Sequence, residues 1–137
     1  MKRLFALTLC ALLASNCSTG YRRSYGSKGS TMTYRVGTHA ELDEANQRIN
    51  AFKEDLLRRG FRTAAASFSD SKEEFILEGQ YGRLKDLRVT LRTNKRLEKE
   101  EPELAGGIHA SICNEQADQE FEELYKKVVI VVTGQPQ

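Results

Sequence analysis

The sequence predicts an α+β fold, a two-layer sandwich in which an antiparallel sheet of three to five strands has two helices packed on one face. Three observations predict it: a long helical repeat after residue 38, two alternating strand segments between 74 and 92, and a second helical repeat after residue 114. A helix and a sheet each present an apolar face, and packing the two together buries both. The roughly 100 residues from Thr31 onward suffice for one such domain.

The first helix is predicted from about 39 to 59. Thr38 and Glu41 have the spacing of a capping box, and Gly60 stands where many helices end in a left-handed residue, so that Phe61 can fold back onto the last turn. The apolar stripe is short for a coiled coil, which favours a contact with the protein's own sheet over one with a partner helix. Its residues recur at helical spacing and are Leu42, Ala45, Ile49, Phe52, Leu56 and Leu57.

Residues 61–92 have the pattern of strands. The run 62–68 consists mostly of small residues and leads to a turn at 70–72, and the segments 74–81 and 85–92 predict a hairpin with Gly82 in its connection. One register places apolar pairs on one side and opposite charges on the other, whereas a shift by one residue would mix them. The charged side is typical of a solvated surface. The predicted pairs are Phe75 with Leu91, Leu77 with Val89, Glu74 with Arg92, and Glu78 with Arg88.

A fourth strand is predicted at 106–113, with Ile108, Ala110 and Ile112 on one face. Residues 31–36 can add an edge strand. The residues 93–104 are dense in charge and contain Pro102, which indicates an exposed, mobile loop.

The second helix begins after Asn114, a suitable N-cap. Its stripe leads to a β-branched segment, 128–133, that would also suit a strand. Because no turn residue interrupts the repeat and Gly134 and Pro136 follow as stop signals, we predict helix to about Val131. The stripe comprises Ala117, Phe121, Leu124, Tyr125 and Val128.

The first seventeen residues have the pattern of an export signal. Lys2 and Arg3 precede an apolar stretch, 4–13, that is too short to span a bilayer. Residues 14–17, Ala-Ser-Asn-Cys, then resemble the lipobox of bacterial lipoproteins, although that family usually has Gly or Ala where Asn16 stands.

The resemblance implies that residues 1–16 are removed and that Cys17 receives the lipid, with palmitate as a typical acyl chain. Ser18 in place of Asp implies sorting to the outer membrane, on the periplasmic side. Ordinary cleavage and a soluble secreted product are the alternative.

The segment 17–30 continues from the proposed lipid site as a flexible tether, and the domain is predicted at 31–137. The tether is rich in Gly and Ser, and its Arg22, Arg23 and Lys28 could contact anionic headgroups. Without its leader the chain has as many basic as acidic residues, 19 of each, since Lys2 and Arg3 leave the total of 21 Lys and Arg. Beyond residue 30 there are 16 basic against 19 acidic residues, since Arg22, Arg23 and Lys28 also lie outside the domain, and a mildly acidic, exported domain is not expected to bind nucleic acid.

His109, Ser111 and Cys113 are the one grouping that suggests nucleophilic catalysis, because alternation places them on one face of the fourth strand. His109 and Cys113 would lie about 13 Å apart along that strand, too far for a Cys–His pair or a shared metal. We therefore predict no catalytic centre, no metal and no cofactor. With Cys10 removed and Cys17 lipidated, Cys113 has no partner, so we expect no intramolecular disulfide.

An anchor, a tether and a small domain without catalytic residues predict a non-catalytic binding or assembly module of the cell envelope. Its partner would be another envelope protein or cell-wall material, contacted through an exposed sheet edge or the loop at 93–104. Two alternatives remain open. One is an envelope enzyme that uses His109, Ser111 or Cys113, and the other is a secreted inhibitor or immunity-type protein.

Overall fold

The computed structural model describes residues 26–70, 72–94 and 103–135. These residues form a five-stranded antiparallel sheet with two helices against one face, which confirms the predicted α+β class. The strand order is β1-β5-β4-β3-β2, so the first two strands of the sequence form the two edges of the sheet. The elements are β1 (Ser27–Arg35), α1 (His39–Arg58), β2 (Arg62–Phe68), β3 (Lys72–Tyr81), β4 (Leu84–Asn94), β5 (Glu103–Ser111) and α2 (Glu115–Thr133).

The β3–β4 hairpin has the predicted register. Leu77 lies opposite Val89, and Glu78 lies opposite Arg88. Leu77 and Val89 are fully buried against the helices, whereas Arg88 on the other side of the hairpin is exposed. The alternation along the two strands therefore correctly predicts which face enters the core.

Helix α1 begins and ends as its sequence predicts. The backbone N–H of Glu41 donates to Thr38 Oγ1 at 3.1 Å. At the other end Gly60 has a φ of 101°, and the N–H of Phe61 donates to the carbonyl of Leu56 at 3.0 Å. With the bond from Gly60 N–H to the Leu57 carbonyl, this is a Schellman ending, which satisfies carbonyls that the helix leaves free.

Helix α2 begins at the predicted cap, where Asn114 Oδ1 accepts from the N–H of Ala117 at 2.8 Å. The ambiguous segment 128–133 is helical, two residues beyond the predicted end at Val131. Its valines face the sheet at close range: a methyl group at Gly106 of β5 would come within 2.8 Å of the Val128 and Val132 side chains. Burial of this apolar face outweighs the β propensity of valine.

Strand β1 starts earlier than the predicted edge strand and includes Ser27–Ser30 of the predicted tether. Its Lys28 points toward the helices, where Nζ lies 2.7 Å from Asp118 Oδ1 and 2.5 Å from Glu122 Oε1. The hydrogen bonds to Asp118 and then Glu122 raise the pKa of Lys28. The ammonium group of Lys28 is therefore held by α2, and its contact with lipid headgroups stays a prediction.

The predicted loop at 93–104 was too long. Thr93 and Asn94 are buried at the end of β4, and β5 begins at Glu103 with Leu104 fully buried. Only 95–102 remains between the strands, and it lies outside the described residues. The leader 1–16, Cys17, Arg22 and Arg23 lie outside them as well.

Candidate binding surfaces

The outer face of the sheet, on the side away from the helices, carries a row of polar residues across four strands. Arg62 of β2 lies opposite Glu78 of β3, Glu78 opposite Arg88 of β4, and Arg88 opposite His109 of β5. The row ends at Gly29 of β1, which lies opposite His109. Directly opposed residues project to the same face at close spacing, so these side chains form a continuous polar strip.

Glu78 is the centre of this row. Its Oε2 accepts a hydrogen bond from Arg62 Nη2 at 3.0 Å, and its Oε1 accepts one from Arg88 Nη2 at 2.9 Å. The bonds from Arg88 and then Arg62 lower the pKa of the Glu78 carboxyl. One carboxylate thus orients two guanidinium groups from different strands, and each guanidinium keeps further N–H donors.

A bulge at the start of β4 shapes the surface beside this row. The β3–β4 register shifts between Gly79 and Tyr81, and Asp86 adopts a φ of 51°. Few residues adopt this left-handed conformation, and aspartate is among the better suited of them. A bulge changes the direction of the neighbouring side chains, here those of Lys85 and Asp86.

The bulge and the polar row together border an open depression of about 670 Å³. Within the described part of the chain, the side chains of Lys85, Asp86, His109 and Ser111 make no hydrogen bond or ion pair there. They are therefore available to a ligand. The depression is lined by Arg62, Glu78, Gly79, Gln80, Lys85, Asp86, Arg88, His109 and Ser111.

The structure brings together two members of the predicted catalytic grouping and separates the third. His109 and Ser111 are exposed on β5 and line the depression, with the His109 ring against Gly29, where a methyl group would lie 3.2 Å from Cδ2. Cys113 lies beyond the end of β5 and is not part of the strand. The predicted strand end at 113 was therefore two residues too long.

Cys113 is also disulfide-bonded in the full-length chain, whereas the expectation of no intramolecular disulfide concerns the mature chain without Cys10 and stays a prediction. The sequence contains two other cysteines, Cys10 and Cys17, both outside the described residues. A sulfur in a disulfide is not a thiolate and cannot act as a nucleophile. In this oxidised form the predicted grouping keeps only His109 and Ser111.

The second candidate surface is the edge strand β2. All seven of its residues are exposed, and among the described residues it pairs with β3 alone, with a bulge between Thr63 and Ala65. The residues 63–67 have small, uncharged side chains. The other edge strand, β1, differs because its alternate residues are half-buried and its Lys28 points inward, a feature that protects sheet edges from further pairing.

An apolar ledge, formed by Ala66, Phe68 and Phe75, lies on the helix side of β2. Ala66 is directly opposite Phe75, and the Phe68 and Phe75 rings meet edge to face with centroids 5.6 Å apart. Lys53 of α1 lies with Nζ 4.0 Å from the Phe75 ring centroid. Phe68 is nevertheless 64% exposed, so the ledge extends beyond the part of the sheet that the helices cover.

No protein-family model and no curated protein matches this chain. Within 26–70, 72–94 and 103–135, no three or more His, Cys, Asp or Glu residues are grouped so that they could hold a metal ion. Neither α1 nor α2 is long and apolar enough to cross a membrane.

The sequence indicated the polar row but not its surroundings. The hairpin register already placed Glu78 beside Arg88, yet the row was interpreted as a solvated surface alone. The bulge has no strong signal, because Lys85 and Asp86 are ordinary strand-start residues. The exposure of β2 does have a signal: the run 62–67 contains no large apolar residue that could be buried.

Proposed function

We propose that the protein is a lipid-anchored, non-catalytic binding module of the cell envelope that binds another envelope protein by strand addition at β2. The observation that carries the proposal is the exposure of all seven β2 residues. Ordering a backbone costs about 1–2 kcal/mol per residue, and β2 buries little apolar surface in return. A strand added to its free side would pair the backbone groups of 65–68, beyond the bulge between Thr63 and Ala65.

The two sides of β2 define the kind of strand that it would accept. On the helix side, the partner would place apolar side chains against Ala66 and Phe68. On the outer side, next to Ala65 and Ser67, it would carry small or polar side chains. Main-chain hydrogen bonds would provide affinity, and the alternate side chains would provide specificity.

The anchor in this proposal is a lipid on Cys17, supported by the lipobox-like residues 14–17, with the outer membrane implied by Ser18. Lipid attachment and the disulfide of Cys113 exclude one another. Within the chain, Cys113 can pair only with Cys10, which leaves with the leader, or with Cys17, whose sulfur would carry the lipid. An oxidised chain without lipid would instead favour the secreted inhibitor or immunity-type protein.

Intact mass of the membrane-extracted protein, beside a Cys17→Ala variant, tests the anchor. We expect an N-terminus at residue 17 with acyl chains, and loss of both in the variant. A soluble, acyl-free product that lacks two hydrogens relative to the reduced chain would carry the disulfide and would contradict the anchor.

Photo-crosslinking in cells tests strand addition. A photoreactive residue in place of Ser67 on β2 is compared with one in place of Thr33, which is exposed on the β1 edge. We expect an adduct with one envelope protein from position 67 only, and slower amide hydrogen exchange of 63–68 in the purified complex.

The matched variants are Ala66→Lys and Thr33→Lys. A lysine on an edge strand blocks further pairing, while an exposed substitution usually changes stability by less than about 0.5 kcal/mol. Ala66→Lys should abolish the adduct and Thr33→Lys should leave it unchanged. Adducts of equal yield from both edges, or an adduct that survives Ala66→Lys, would refute strand addition at β2.

A further inference from the structure

We infer that the outer-face depression binds a phosphate group, and that this phosphate belongs to a lipid headgroup of the membrane in which the protein is anchored. The phosphate site rests on the geometry of the depression. The choice of a lipid as its source rests also on the anchor proposed above.

The first support is an excess of oriented donors. Arg62 and Arg88 each donate one N–H group to Glu78, which leaves their other N–H groups free to donate to a ligand. Because both arginines contact the same carboxylate, a ligand that meets one guanidinium group is also close to the other. Guanidinium groups also match the geometry of phosphate oxygens.

The second support is the charge of the depression. It contains three Lys and Arg side chains against two carboxylates, and Glu78 is already shared between two arginines. The unpaired Lys85 adds an ammonium group, and His109 and Ser111 add donors from the neighbouring strand. Asp86 is the one unpaired carboxylate in the depression. It would repel a bound phosphate on the side of the bulge.

The third support is the arrangement of these donors on separate strands. Neighbouring strands lie about 4.8 Å apart, so Arg88 on β4 and His109 on β5, which are directly opposed, present their donors side by side on the same face. A phosphate presents oxygens in several directions, whereas a carboxylate presents two oxygens in one plane. Several donors side by side can each reach a different oxygen, and a phosphate group offers more acceptor oxygens than a carboxylate does.

The position of the depression favours a lipid source. His109 lies opposite Gly29, near the start of β1, and the N–H of Ile112 donates to the carbonyl of Gly26 at 2.8 Å. The chain therefore enters the domain at this end of the sheet. Cys17 precedes Gly26 by nine residues, which span at most about 30 Å when extended. In an anchored protein this end of the domain stays within that distance of the headgroups.

Proton NMR of the two histidine rings, His39 and His109, tests the site. Inorganic phosphate is titrated into the purified full-length mature protein at constant pH and ionic strength. We expect a saturable shift of the His109 signals alone, because His39 lies on α1 outside the depression. Equal or unsaturable shifts of both rings would overturn the phosphate site.

The variants Arg88→Gln and Lys85→Gln should each weaken the response of His109 by tenfold or more. Arg35→Gln is the matched control, since it removes one exposed positive charge from β1, beside Glu103 and outside the depression. Equal weakening by all three variants would reduce the effect to overall charge and would overturn the site.

The source is tested by placing the anchored protein in phosphatidylglycerol nanodiscs or in nanodiscs of an uncharged glycolipid without phosphate. We expect the His109 signals in phosphatidylglycerol to resemble the phosphate-bound state before any phosphate is added. A response to inorganic phosphate but not to phosphatidylglycerol would overturn the lipid source and leave a site for soluble phosphate compounds. Failure of the anchor appears separately, in the intact mass, and leaves the phosphate titration valid.

Discussion

Replacing Gly79 by alanine tests how closely the chain after α1 packs onto β3. A Cβ atom at this position would lie 2.6, 2.7 and 2.8 Å from three carbons of the Phe61 ring. Phe61 is only 5% exposed, so the ring has little room to move away. The φ of Gly79 is not positive, so the cost is steric. Overpacking of this kind costs about 1–3 kcal/mol, and we expect Gly79→Ala to lower the free energy of unfolding by that amount.

Urea denaturation of a double-mutant cycle with Phe61→Leu identifies the contact. Phe61→Leu alone should destabilise the protein less than the 3–5 kcal/mol typical of Phe→Ala. The double variant should be more stable than the sum of the two costs predicts, by more than about 0.5 kcal/mol, because the smaller side chain accommodates the new methyl group. Gly26→Ala is the control, since a Cβ there has no neighbour within 4 Å. Additive costs, or a neutral Gly79→Ala, would show that the ring does not lie against β3 as described.

Three further variants test local features of the fold. Asn114→Ala removes the acceptor for the Ala117 N–H and should cost about 1 kcal/mol in urea denaturation; an unchanged midpoint would argue against the cap. The pKa of Glu78 is lowered from 4.5 in the folded protein. The stabilisation that its carboxylate contributes is therefore present above pH 4.5 and is lost as the pH falls through the folded-state pKa. Glu78→Gln should remove this loss and make stability depend less on pH in acid. Lys28→Met should lower stability near neutral pH, and this difference should shrink above pH 10.5, because the raised pKa of Lys28 gives a contribution that is lost as the pH rises through it. A difference that stays constant with pH would contradict either ion-pair assignment.

The elements that could be predicted from the sequence are those with a strong local pattern. The register of β3 and β4 is confirmed because apolar and charged pairs depend on the same alignment, as Leu77 opposite Val89 and Glu78 opposite Arg88 show. Both helix starts are confirmed because capping depends on residues only three positions apart.

The boundaries that were missed depend on residues distant in sequence. The segment 27–30 is Ser-Lys-Gly-Ser, which has no apolar side chain, and its extended conformation comes from pairing with β5, some 80 residues away. Lys28 is fixed by carboxylates of α2 that no local pattern relates to it. The composition of 27–30 predicts a linker because these side chains can bury little apolar surface. Composition carries no information about which strand the segment can pair with.

The candidate site was predicted in part for the same reason. Alternation placed His109 and Ser111 on one face, but the depression beside them requires four strands in a particular order and a bulge at Asp86. The strand order is a property of the whole chain, since β5 lies between β1 and β4. The sequence therefore predicted the side chains of the surface without predicting that they would meet.

The two edge strands of the sheet, β1 and β2, differ in how open they are to a further strand. The chain enters at β1, where Lys28 is turned inward, and the free side of β2 is at the other edge, across four strand spacings or about 19 Å. A strand that approached β1 would meet the edge where Lys28 is held by Asp118 and Glu122, whereas a strand that approached β2 would meet seven exposed residues. In the proposed strand addition, a strand bound at β2 would therefore lie at the edge of the sheet opposite β1.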